Sequence, residues 1–167
     1  MDRLYSPWRY GYVTTTSQPV DGCVFCGAAA GDPLVVARGT AAFVILNLYP
    51  YNSGHLMVVP ARHVASLAEL STEELTELMT LVQRAEIALA EVYQPQGINV
   101  GLNLGRAAGA GIADHLHIHL VPRWVGDTNF MSVVGATRVL PEEVPASAVR
   151  LRPVFDRLAS DSSPRNS

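Results

Sequence analysis

Three of the chain's five histidines, His115, His117 and His119, alternate with Leu116, Ile118 and Leu120 in the run DHLHIHLVPRW. A strict period of two belongs to a β-strand, whose successive side chains point to opposite faces. The aliphatic residues therefore enter a core, while the imidazoles share the other face, about 6 to 7 Å apart along the strand. A polar outer face accounts for one histidine in such a place but poorly for three. Joint ligation of a single metal is also disfavoured, because neighbours two apart rarely converge on one ion without a further carboxylate. Asp114, the nearest one, falls on the opposite face.

The remaining text predicts the sheet to which this strand belongs. LVVAR, AAFVILN and HLMVVP are short runs of β-branched and aromatic residues, separated by Gly39 and by the turn YPYNSG. They read as antiparallel strands. STEELTELMTLVQRAEIALAEVY opens on Ser71 with Glu74 three residues on, a capping box. Leu75, Leu78, Met79, Val82, Ala85, Ile87 and Leu89 fall near helical spacing, which predicts one long helix with that face on the sheet. QPQG ends it, INVGLNLG is another strand, and RAAGAGIA is a small-residue loop leading into the histidines. An edge strand is expected in VGDTNFMSVVGATRVL, and a C-terminal helix in PASAVRLRPVFDRLA despite Pro153. The result is an α+β fold, a meander of about five antiparallel strands with one long helix and a C-terminal helix. Residues 1–33 are expected to be an irregular segment packed onto the domain by Trp8, Tyr10 and Tyr12, residues 34–159 the domain itself, and residues 160–167 a disordered tail.

At 167 residues, 49% of them hydrophobic, the chain suits a single domain with a real core. A net charge of -3 and the lack of a Lys/Arg run give no general attraction for nucleic acid or anionic lipid. With no signal-peptide pattern and no apolar stretch of membrane-spanning length, a cytoplasmic protein is expected. The pair Cys23 and Cys26 in CVFC is then poorly explained as a disulfide. Half of a zinc knuckle, two buried free thiols and a redox pair are the readings it leaves open.

HLHIHLV resembles the histidine triad of the HIT superfamily of nucleotide hydrolases and transferases. FVILNLYPYNSGHLMVVPARHV resembles that family's upstream segment and NVGLNLGRAAGAG its phosphate loop, so the likeness spans roughly Cys23 to Leu140. Within the superfamily, LNLYPYNSGHLMVVP and HLHIHLVPRWVGDTNF most resemble the bacterial branch that includes diadenosine tetraphosphate phosphorylases.

The resemblance implies a HIT-like fold and an enzyme that cleaves dinucleoside polyphosphates through a covalent nucleotidyl-histidine. It implies His117 as nucleophile, His119 as donor to a phosphate oxygen and His55 as a brace from a neighbouring strand. Neutral imidazole suits the first role because it is nucleophilic at neutral pH and gives a labile intermediate. Asn47 matches the position that holds the ribose, and Asn103, Gly105, Gly109 and Gly111 match the phosphate loop. Many members carry Ser or Thr shortly before the triad, where this chain has Gly111 and Ile112; leaving-group contact then passes to Asn103 or to loop N–H groups. A structural zinc on Cys23, Cys26, His63 and His115, a homodimer, and inorganic phosphate as acceptor are further implications. Related activities in the family are phosphoramidate hydrolysis and removal of adenylated ends. A non-catalytic nucleotide-binding module is the rival outside catalysis.

Overall fold

A computed structural model describes residues 22–127 and 142–161. The packing expected of Trp8, Tyr10 and Tyr12 and an edge strand within residues 128–141 lie outside the described residues. Along the chain run α1 (Val24–Ala29), β1 (Val35–Arg38), β2 (Ala42–Leu46), β3 (Leu56–Pro60), α2 (Thr72–Tyr93), β4 (Gly97–Leu102), β5 (Ile118–Arg123) and α3 (Val144–Asp161). Every pairing in the sheet is antiparallel, and the strand order is β1-β2-β3-β5-β4. The meander expected from the sequence holds only for β1 to β3. α2 then carries the chain to the far edge, and β5 returns into the gap between β3 and β4. This places the histidine strand inside the sheet, where both neighbours fix its register: Met57 and Gly101 each stand opposite His119.

The period of two sorts the sheet into two faces. Val36, Val44, Leu46, Leu56, Val58, Leu116, Ile118 and Leu120 form the main core with α2 and α3. Val35, Phe43, Ile45, Met57 and Val59 form a smaller cluster on the other face, with Phe25 and Ala28 of α1 packed on it. α1 is a departure from the irregular segment expected over residues 1–33: Phe25 and Ala28, three apart, bury one side of a short helix.

α2 begins as its sequence predicts. Ser71 Oγ accepts from the Glu74 N–H at 3.2 Å, and Glu74 Oε2 accepts from the Ser71 N–H at 2.8 Å. Its buried stripe is Leu78, Leu81, Val82, Ala85, Ala88 and Leu89. Leu75, Met79 and Ile87, expected on that stripe, are exposed instead. Met79 and Ile87 each follow or precede a stripe residue by one position, a rotation of about 100°. α3 runs through Pro153 without ending. The carbonyl that loses its donor is that of Val149, and both residues are exposed, so water can satisfy it. α3 also reaches Asp161, two residues into the expected tail, where Ser160 Oγ donates to the Arg157 carbonyl at 2.7 Å. Among the described residues no helix is long and apolar enough to cross a membrane.

Candidate active site

The sheet brings the histidines together. β5 proper starts at Ile118, so His119 lies on the strand and His115 and His117 on the extended segment leading into it. His55 immediately precedes β3, diagonal to His119 across the ladder. Ring centroids of His117 and His119 are 4.8 Å apart and those of His55 and His119 are 5.1 Å apart. The histidine face is covered: His117 is only 5% exposed and His55 and His115 are fully buried. The cover is α1, whose Phe25 ring lies 5.1 Å from His117 and 5.4 Å from His115.

Hydrogen-bond partners fix the tautomers. His117 Nδ1 is 2.8 Å from the His115 carbonyl, which can only accept. Nδ1 therefore carries the proton, and Nε2 presents a lone pair. On His55, Nδ1 faces the Tyr51 N–H at 3.1 Å, which can only donate. Nδ1 is then the acceptor and Nε2 bears hydrogen, donating to His119 Nδ1 at 3.0 Å. His119 must in turn hold its proton on Nε2. The site thus pairs one imidazole lone pair, on His117, with one imidazole N–H, on His119. Burial lowers the basicity of His117, and burial together with the neighbouring His117 pushes His119 down to about 4. Near neutral pH both rings are uncharged.

The turn carrying His55 is held from the side of β5. Asn52 donates to the Pro122 carbonyl at 2.9 Å and to Asp127 at 2.8 Å, and Asp127 accepts two bonds from Arg123 at 2.6 and 2.8 Å. The Tyr51 ring lies 4.8 Å from His55 and 6.2 Å from His119. Tyr51, Asn52 and Asp127 carry no signal of their own in the sequence, although all three stand inside the family-like segments YPYNSGH and PRWVGD.

Asn47 adjoins this group: its N–H donates to the His55 carbonyl at 2.9 Å. Its Oδ1 accepts from the Tyr49 N–H at 2.9 Å, the turn-forming bond of a residue at a strand end. Asn103 lies one residue past the Leu102–Ile118 pair, so it leaves β4 level with His117. Its Nδ2 donates to the Gly109 carbonyl at 3.4 Å, closing the loop. Gly105 and Gly109 have φ of 78° and 92°, a conformation that needs glycine. Gly111 has no positive φ and is exposed.

A second cluster lies on the far side of His117. His115 Nε2 donates to the Pro60 carbonyl at 2.9 Å, which turns its Nδ1 lone pair toward Cys23 Sγ at 3.2 Å and Cys26 Sγ at 3.6 Å. His63 Nδ1 lies 3.4 Å from Cys26 Sγ. The four ligand atoms all lie within 4.8 Å of one another. Zinc with bonds of about 2.3 Å to sulfur and 2.0 to 2.1 Å to nitrogen, in a tetrahedron, separates S and N by about 3.6 Å. The donor set and its spacing fit that ion. His115 thus belongs to this cluster through its ring and to the triad only through its carbonyl.

The antiparallel five-stranded sheet thus presents a lone-pair imidazole beside an N–H imidazole, a pair able to attack an electrophilic centre while donating to an oxygen on it. Residues 32–125 match the HIT domain, and the chain belongs to that family. It is 44% identical over 154 residues to a protein named AP-4-A phosphorylase of Mycobacterium tuberculosis, a match covering 85% of this chain and 78% of the relative. It is 38% identical over 88 residues to the asymmetrical bis(5'-nucleosyl)-tetraphosphatase of Schizosaccharomyces pombe, covering 53% of this chain and 47% of that one. Among solved structures, a Zn-bound histidine triad family protein from Mycobacterium smegmatis superposes with a TM-score of 0.68 at 29% identity, covering 84% of this chain and 98% of the other.

Proposed function

We propose that this chain cleaves dinucleoside polyphosphates, diadenosine tetraphosphate above all, by passing a nucleotidyl group through His117 to inorganic phosphate. One observation carries the reading: the His115 carbonyl holds the proton of His117 on Nδ1, so Nε2 is a neutral nucleophile beside the His119 N–H. The name of the mycobacterial relative supports the choice of substrate.

In the first half-reaction His117 Nε2 attacks the α-phosphorus. The P–N bond forms, and the bridging P–O bond breaks with its electron pair leaving on ATP. His119 Nε2–H donates to a non-bridging oxygen of that phosphorus, where negative charge grows, and His55 keeps the His119 ring in the required tautomer. In the second half-reaction a phosphate oxygen attacks the same phosphorus, the P–N bond breaks, and ADP forms with neutral His117 restored. Asn47 holds the ribose, and Asn103 with the loop at Gly109 and Gly111 holds the phosphates. Gly111, exposed and without a side chain, is where the acceptor phosphate enters once ATP has left.

Zinc on Cys23, Cys26, His63 and His115 is structural in this reading, cross-linking α1 to the segment before β5. The Cys pair, facing two histidines as a metal site, suits a reducing compartment, in accord with a cytoplasmic protein. A homodimer joined along β4 is supported by the exposed Val100 on that edge strand and Leu104 just beyond it. Incubation of the purified protein with diadenosine tetraphosphate and labelled phosphate tests the chemistry. Label in the β position of ADP supports phosphorolysis. AMP formed at a rate indifferent to added phosphate would make the chain a hydrolase.

A further inference from the structure

Gly54 lies between Ser53 and His55 with φ of 76°. A Cβ at this position would stand 2.6 Å from Cε2 and 3.0 Å from Cδ2 of Tyr93. The last residue of α2 therefore rests its ring directly on the peptide that carries His55. This ring is in turn fixed at its other edges. Its hydroxyl donates to Glu142 Oε2 at 2.6 Å, and the same oxygen accepts from Ser147 Oγ at 2.7 Å. Arg150 stands over the ring, 4.8 Å from the centroid, donating to Glu142 Oε1 at 2.7 Å and to the Val92 carbonyl at 2.8 Å. Burial and the nearby Glu142 push the phenol up to about 12, so it remains a donor.

From this juxtaposition we propose that Tyr93 is a positioning residue for the triad: clamped by Glu142, Ser147 and Arg150, it sets the Gly54–His55 peptide and thereby the bond from His55 to His119. The inference rests on the reading of His119 as donor to a non-bridging phosphate oxygen. Three elements distant in sequence then converge on one imidazole. α2 supplies the ring, the start of α3 supplies its clamp, and the turn before β3 receives them. Asn52 holds the turn from the β5 side and the Asn47 N–H holds the His55 carbonyl, while the Tyr93 ring backs the turn at Gly54. A shift of His55 lengthens its 3.0 Å bond and lets the His119 ring rotate, and misplacement by about 1 Å costs up to about a hundredfold in rate.

The test uses the full chain and the two diastereomers of a dinucleoside polyphosphate in which one non-bridging α-oxygen is sulfur, a weak acceptor. The wild type should lose rate with one diastereomer, and His119→Ala should show little of that loss. Tyr93→Leu should lower kcat by about tenfold or more with KM nearly unchanged, and its sulfur penalty should shrink toward that of His119→Ala. Tyr93→Phe, which keeps the ring on Gly54, should recover much of kcat. If Tyr93→Leu does not fold, Glu142→Gln, which weakens the whole clamp on the phenol by removing the charge that Tyr93, Ser147 and Arg150 share, should show a smaller change of the same kind. A sulfur penalty equal to the wild type's in the folded variant would overturn the role of Tyr93. A penalty unchanged in His119→Ala would instead remove the donor role of His119, and the positioning of it with that role.

Discussion

Removal of zinc should release α1 before anything else. The helix has six residues, too few to be stable alone. Its burial consists of Phe25 and Ala28, worth together about 3 to 4 kcal/mol, plus bonds from Arg38 to the Ala28 and Ala29 carbonyls worth about 1 kcal/mol. Fixing six backbones costs about 6 kcal/mol or more, so the helix is a few kcal/mol short without the proposed zinc. Zinc held by two thiolates and two imidazoles supplies more than that shortfall. The assay is hydrogen exchange before and after chelation, with metal analysis of each sample. Amides of residues 22–31 should lose protection while β2, β3 and α2 keep theirs, and restored zinc should restore it. Unchanged protection of Val24–Ala29 in protein verified as zinc-free would refute the reasoning, as would freshly purified protein that contains no zinc.

Substitution of His55 by Ala should lower kcat by about ten- to a hundredfold, measured by steady-state turnover, because His119 loses the donor that fixes its tautomer. The double variant with His119→Ala should be little worse than the worse single one, and strict additivity would show that the two rings act separately. The acid limb of the first, phosphate-independent step, followed as adduct formation, should lie below pH 6.5, because burial lowers both His117 and His119. His119, facing His55, His117 and the Tyr51 ring, is held neutral down to about 4, and proton uptake at its Nδ1 would set two N–H groups against each other. An acid limb centred near 6.5 would contradict this. The same shift makes the folded protein bind fewer protons than the unfolded chain between about pH 6.5 and 4. Thermal stability should therefore decline as pH falls through that window.

How much of this was legible beforehand follows from where the information lies. The strands β1 to β3, the capping box of α2 and the facing of Leu116, Ile118 and Leu120 are local patterns, and each appears where the text placed it. Strand order is not local: nothing in INVGLNLG says that it pairs beyond β5, since that depends on the length of α2 and on which aliphatic face it must cover. The grouping of Cys23, Cys26, His63 and His115 was reachable only through family likeness, because the four residues are spread from position 23 to position 115. The burial of His117 was missed because its cover, Phe25, lies between two cysteines that drew attention to metal chemistry instead of packing. Tyr93 looked like the last residue of a helix, and only the close approach of Gly54 gives it a part in the site.

The covalent step can be observed directly by mixing the protein with diadenosine tetraphosphate in the absence of phosphate, quenching in alkaline denaturant and measuring the intact and peptide masses. Covalent catalysis by His117 requires one adenylyl group per chain, on the peptide containing His117, discharged to ADP when phosphate is added before the quench. His117→Ala should carry no adduct and lose turnover by several orders of magnitude. An adduct absent from wild-type protein during turnover, or a His117→Ala variant that keeps about a tenth of the activity, would contradict it.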